Sequence, residues 1–224
     1  MKKIVAMAVV AAVTVSMVCA QIGVTAGVKG TFGMNLGSQV ADKDIYGDDV
    51  KDAFMVNGGG SLYGRYNMPF HAPLGVQLEF GITGNNGAGI EAGSGGETMK
   101  TTLSYLSLDI PLIVTYDISA GPVVITPMVG VNFSIPVGKP TVKMEVGGTS
   151  AEMDMGDVSI VGFIPGLVAG VEVGIPAGPG SVTAGLSYVN DFMPVKASYE
   201  GVDEKQDLLT RRNFNISVGY ALKF

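Results

Sequence analysis

The sequence predicts an all-β fold: an eight-stranded antiparallel up-and-down transmembrane barrel, with short turns at one rim and four long loops at the other. Three observations predict it. Apolar and polar residues alternate with period two, connections between the alternating segments switch between short and long, and acidic residues gather in the long ones. At 224 residues, 47% hydrophobic and 15% charged, with a mean hydropathy of +0.38, the chain is too apolar to be disordered. Its acidic balance argues against nucleic acid as a partner, and its single cysteine against a disulfide or cysteine-metal scaffold.

The one long apolar run is N-terminal. Lys2 and Lys3, the stretch Ile4 to Val18 and the small residues before Gln21 follow the plan of a secretory signal cut after Ala20. Residues 1–20 are thus expected to be a cleaved signal peptide and residues 21–224 the barrel domain. A retained anchor helix would lack a basic stop-transfer flank. Acylation at Cys19 is the other alternative, although branched Val18 stands where lipoprotein signals carry a small residue. The mature chain would hold 204 residues, no cysteine and a formal charge of −8.

Strand candidates follow in order. In 22–36, Val24, Ala26, Val28, Phe32 and Met34 alternate with Thr25, Gly27, Lys29, Thr31 and Gly33. In 75–83, Val76, Leu78, Phe80 and Ile82 oppose Gln77, Glu79, Gly81 and Thr83, and 213–224 sets Phe214, Ile216, Val218, Tyr220, Leu222 and Phe224 against small or polar neighbours. Segments 54–66, 106–117, 123–136, 158–175 and 181–190 complete the eight. The connections 67–74, 118–122 and 176–180 are short and rich in proline and glycine, whereas 38–53, 85–99, 138–157 and 191–210 are long. This alternation puts both termini and the short turns on the periplasmic side.

Charge supports the same plan. Sixteen of the 20 acidic residues, among them Asp191, fall in the long connections, where six lysines leave a net charge of −10. The greasy strand phase is almost free of charge, as hydrocarbon demands when a midplane charge costs ~2–4 kcal/mol. Lys29, Arg65, Glu79, Asp109, Glu172 and Lys223 occupy the opposite phase and are candidates for ion pairs in the lumen, with Arg65 and Glu79 the expected partners. Such pairs would plug the barrel; the sharper reading is a polar solute path. Aromatic residues cluster toward the strand ends, with Tyr105 assigned to the outer belt. Pro111, Pro127, Pro136 and Pro165 fall within strands, where bulges or bends are expected, and a slip of the apolar phase between Leu103 or Tyr105 and Leu106 calls for a further bulge.

Chemical motifs are scarce. His71 is the only histidine and sits in a short turn, far from the loops, so neither a catalytic triad nor a histidine-metal centre is expected. Asp42, Asp44 and Asp48 resemble half of a calcium loop, with glycine at the sharp turn. Ala53 stands where the bidentate Glu belongs, so only weak divalent-cation binding is at issue. No enzyme activity and no cofactor are expected.

The run from Tyr105 to Tyr116, Ala120-Gly121-Pro122, Gly130 to Phe133, Gly166 to Glu172 and the terminal Phe224 resemble the outer-membrane beta-barrel domain family. That family includes PorT-like proteins and is similar in plan to OmpX and the OmpA barrel. The resemblance covers essentially the whole mature chain and implies the outer membrane of a double-membraned bacterium. Tyr220, Leu222 and Phe224 resemble the C-terminal signal read by the barrel assembly machinery. The expected partners are outer-membrane lipid, that machinery and basic or host surface ligands, and the chain is expected to be a monomer. Two functions are open at this level: a structural or surface-interaction scaffold displaying acidic loops, and a transporter or narrow pore for small or hydrophobic solutes.

Overall fold

The computed structural model describes residues 23–35, 50–52, 55–68, 73–94, 97–146, 148–154, 158–199 and 206–224. The expected signal peptide, the acidic residues Asp42, Asp44 and Asp48, and His71 lie outside them. Eight long strands form the wall: β1 (Val24–Asn35), β2 (Met55–Asn67), β3 (Leu74–Ser94), β4 (Glu97–Tyr116), β5 (Val123–Val146), β6 (Ile164–Ala177), β7 (Gly180–Asp191) and β8 (Arg212–Lys223). Each pairs antiparallel with its neighbours in sequence, and β8 returns to β1 with Thr25 opposite Lys223 and Asn35 opposite Asn213. The ring is closed, so no strand edge is left unpaired toward lipid.

Period-two alternation decides which side chains face where. Val28, Phe32, Leu62, Phe80, Ile82 and Val218 are each more than half exposed, while Lys29, Arg65, Gln77, Glu79 and Glu172 are buried. This inverts a soluble protein: the apolar face meets lipid and the polar face is enclosed. The lumen is not uniformly polar, however. Ile113, Met128, Val168 and Val189 pack together inside the wall.

The periplasmic connections are tight. β6 and β7 are joined by Gly178 and Pro179 alone, and the positive φ of Gly178 is what the first position of a two-residue hairpin turn can require. At the opposite rim the strands outrun the membrane. Twelve-residue β1 and β7 are about 40 Å long at ~3.3 Å per residue, enough to cross a ~25 Å apolar band at barrel tilt. β3, β4 and β5, with 21, 20 and 24 residues, continue well beyond it. The segments expected as loops 85–99 and 138–157 are thus largely strand, extended by pairing of Thr149–Asp154 with the end of β5 and of Val50–Asp52 with β3. Segment 158–175 also divides: Val158–Val161 leaves the barrel and pairs with Val195–Tyr199 in a separate small sheet, which Gln206–Leu209 joins.

The phase slip is not repaired within β4, whose alternation runs on unbroken: Leu103, Tyr105 and Ser107 are buried and Leu106 is exposed. The β4–β5 register shifts between Ser104 and Leu106, where Gly138 takes a positive φ and Pro140 is fully buried. The extra residues lie on β5, between Val137 and Thr141, and Leu103 and Tyr105 point inward while Leu106 faces out by ordinary alternation. Tyr105 is therefore a lumen residue and not part of an outer belt. The four prolines expected within strands do not break register: Ser107–Pro136, Pro111–Asn132, Pro127–Val171 and Pro165–Phe133 are all continuous; of two further strand prolines, Pro140 lies in the register shift and Pro176 pairs with Ser181. An antiparallel residue aims its N–H at only one neighbour, so each proline forfeits one ladder bond without needing an extra residue. All four lie on β4, β5 and β6, which concentrates the missing donors on one side of the barrel.

Candidate functional site in the barrel lumen

Alternation sends the charged side chains of the strands into the lumen, where they assemble into two layers. The inner layer lies toward the periplasm. Lys29 Nζ on β1 contacts Glu79 Oε1 on β3 at 2.7 Å and Glu172 Oε2 on β6 at 3.9 Å. Arg65 on β2 reaches Glu172 Oε1 through Nη2 at 3.0 Å and Asp117 through Nη1 at 3.4 Å, and donates from Nε to Gln77 Oε1 at 2.7 Å. Gln77 in turn donates to Glu79 Oε1 at 2.6 Å, Ser61 donates to Glu79 Oε2, and Thr126 donates to Asp117. The Tyr63 ring lies 4.8 Å from Lys29 Nζ. A Cβ at Gly27 would fall on that ring, so glycine is needed there.

The outer layer is built around Arg211, only 3% exposed, immediately before β8. Its Nε donates to Asp191 Oδ2 at 3.0 Å, and its Nη2 contacts Asp191 Oδ1 at 3.3 Å and Asp109 Oδ1 at 3.1 Å. Nη1 reaches Ser107 Oγ at 3.5 Å; Ser107 donates to Asp109, and Asn85 donates to Ser107. The Asp191 amide also donates to the Arg211 carbonyl, tying the ends of β7 and β8 together.

Strands four apart in an eight-stranded ring face each other across its diameter. Arg65 on β2 to Glu172 on β6, and Arg211 beside β8 to Asp109 on β4, are such pairs. Each layer therefore crosses the whole lumen. Buried charges demand this kind of matching, because a carboxylate or guanidinium stripped of water and left unpaired costs several kcal/mol.

Lys29, Arg65, Glu79, Asp109 and Glu172 all enter these layers, as their strand phase requires. Lys223 does not: it is exposed at the barrel end. The expected Arg65–Glu79 pair is replaced by an Arg65–Gln77–Glu79 relay. Arg65 sits opposite Gln77 in the β2–β3 register, whereas Glu79, opposite Tyr63, turns to Lys29. Arg211 and Asp191 are the residues that assignment to a long loop hides. Their signal is parity: Arg211 continues the inward phase of Asn213 and Asn215, and Asp191 that of Ser187 and Val189. At the C-terminus, Leu222 faces outward, Tyr220 donates to the Ala177 carbonyl at 2.9 Å, and the Phe224 amide donates to Val24.

A closed eight-stranded antiparallel barrel, apolar outside and ion-paired inside, is an outer-membrane barrel by construction. The family model for the outer membrane protein beta-barrel domain matches residues 7–221, and the chain belongs to that family. Among solved structures, it is similar to the outer membrane protein OprG from Pseudomonas aeruginosa, at 13% identity and TM-score 0.52, over 91% of this chain and 97% of that one. It is also similar to a major outer membrane protein from Thermus thermophilus, at 16% identity and TM-score 0.50, over 90% and 99% of the two chains. Neisserial surface protein A aligns at 13% identity and TM-score 0.45, over 90% and 97%. At these identities the likeness concerns the fold alone. No curated protein sequence matches the chain.

Proposed function

We propose that the protein is a non-enzymatic, monomeric outer-membrane scaffold with a closed lumen, whose working surface is the acid-rich rim of strand extensions and loops. The observation that carries this reading is the span of Arg65 and Arg211, each held by carboxylates on opposite walls. A lumen crossed twice by ion pairs leaves the exterior as the surface available for partners. Asp191 belongs to the lumen, so the outward excess is nine negative charges of the ten counted in the long connections. Such a field attracts basic ligands within a Debye length of ~8 Å at physiological salt. In this reading residues 1–20 are a cleaved signal, Tyr220, Leu222 and Phe224 are the assembly signal, and Asp42, Asp44 and Asp48 contribute to the acidic surface.

The test is deletion of residues 42–52 in refolded protein, with retention of fluorescent polylysine on proteoliposomes as the readout. Retention should fall several-fold at low salt and vanish at high salt, with heat-modifiable migration unchanged. Full retention would remove the first loop from the interaction surface.

A second reading rests on the four prolines gathered in β4, β5 and β6. Missing ladder bonds on that side favour lateral passage of small hydrophobic molecules between lumen and lipid. Hydrophobic-solute flux into proteoliposomes that falls when Glu172→Leu alters the lumen would support it; flux indifferent to that change would count against it.

A further inference from the structure

Between the two ionic layers lies a chamber of about 100 Å³, bounded below by Lys29 and Glu79 and above by Asp109 and Arg211. Its walls differ. Ile113, Met128 and Val168, from β4, β5 and β6, give it an apolar side. The opposite side, from β8, β1 and β2, carries Asn57, Asn213 and Asn215, all at least nine-tenths buried. Both ends of the Asn57 amide and Oδ1 of Asn213 and Asn215 have no hydrogen-bond partner among the described residues. Gly33 sits between Asn57 and Asn215 in the ladder, and a Cβ there would collide with Oδ1 of each. The two amide oxygens thus converge over the glycine.

Charge and enclosure set the chemistry. Among the described residues, the layers that enclose the chamber hold five carboxylates, Glu79, Asp117, Glu172, Asp109 and Asp191, against three cations, Lys29, Arg65 and Arg211. The formal imbalance is two negative charges in a largely buried region, where an uncompensated charge is costly. Three unpartnered amide oxygens against a single unpartnered amide nitrogen, negative charge in excess of its counter-charge and an apolar wall across the chamber describe the complement of a small amine. We infer that the chamber is a binding site for one small primary ammonium carried on a short carbon chain. Its three N–H donors match the oxygens of Asn57, Asn213 and Asn215, and its chain lies against Ile113, Met128 and Val168. A cavity of ~150 Å³ accepts benzene, so a chamber of this size limits the ligand to about four or five non-hydrogen atoms.

The experiment refolds the full mature chain in detergent with n-propylammonium chloride, so that the chamber closes around the probe. KCl and neutral propan-1-ol at equal concentration are the comparisons. Isotope-filtered intermolecular nuclear Overhauser effects should connect the ¹³C-labelled propyl chain to the Ile113, Met128 and Val168 methyl groups. The urea midpoint should rise with the logarithm of propylammonium concentration. Asn215→Leu and Gly33→Ala should each weaken the probe at least tenfold, while Glu145→Gln, on the exposed β5 extension, should leave it unchanged. Absence of contacts to those methyls in folded wild-type protein would overturn the inference, whatever the variants do. Equal protection by KCl would overturn it in favour of a metal-ion site, and equal protection by propan-1-ol would overturn it by removing the role of charge.

Discussion

The two ionic layers cross the same lumen with different degrees of redundancy. In the inner layer each cation touches two carboxylates, and neutral donors from Gln77, Ser61 and Thr126 cover what the cations leave. In the outer layer one guanidinium serves two carboxylates, with neutral donors to Asp109 from Ser107, Thr83 and Ser134 and with Asn85 behind Ser107. A network with two cations tolerates loss of one; a layer with a single cation does not. The contrast matters because a buried pair contributes little net stability over an apolar replacement, whereas a broken pair is strongly destabilising.

The largest effect is therefore expected at Arg211. Arg211→Met leaves Asp109 and Asp191 facing each other and should cost about 3–5 kcal/mol in urea unfolding of the refolded barrel. Neutralising both acids in the same chain, as Arg211→Met with Asp109→Leu and Asp191→Leu, should restore most of it; failure to do so would mean that packing and not charge holds the layer. Lys29→Met should cost less, about 1–3 kcal/mol, because Glu79 keeps Gln77 and Ser61 as donors. Smaller again is Gln77→Leu, about 0.5–1.5 kcal/mol, since Arg65 retains Glu172 and Asp117 and Glu79 retains Lys29. If Lys29→Met proved as damaging as Arg211→Met, the two layers would not differ in redundancy as described. Electrical behaviour sharpens the comparison: either layer alone spans the lumen, so Arg211→Met should remain silent in a planar bilayer, and current should require disruption of both layers.

Much of this was legible in the residues. Period two, the apolar outward phase and the alternation of short and long connections define the closed eight-stranded plan, and parity alone places Lys29, Arg65, Glu79, Asp109 and Glu172 inside. What escaped has a common physical cause. Parity reports the side of the wall but neither depth nor neighbour, so Lys223 shares the inward phase yet sits exposed at the end, and Arg65 is matched in register to Gln77 and not to Glu79. Polar residues beyond the membrane no longer separate strand from loop, because outside hydrocarbon both faces of a strand can be wet. That is why the continuations of β3, β4 and β5 read as loops, and why Arg211 and Asp191 are hidden at strand ends. The apolar patch of Ile113, Met128 and Val168 departs from a simple greasy-out rule, and it faces the unpartnered asparagines across the chamber.

The central claim, that ion pairs close the lumen twice, is tested most directly by single-channel recording of residues 21–224 refolded into planar bilayers, with heat-modifiable migration certifying the folded barrel. The account predicts a silent membrane at protein densities where a known porin conducts. Discrete, reproducible current steps from the folded wild-type protein would contradict it, because no continuous water path coexists with both layers intact.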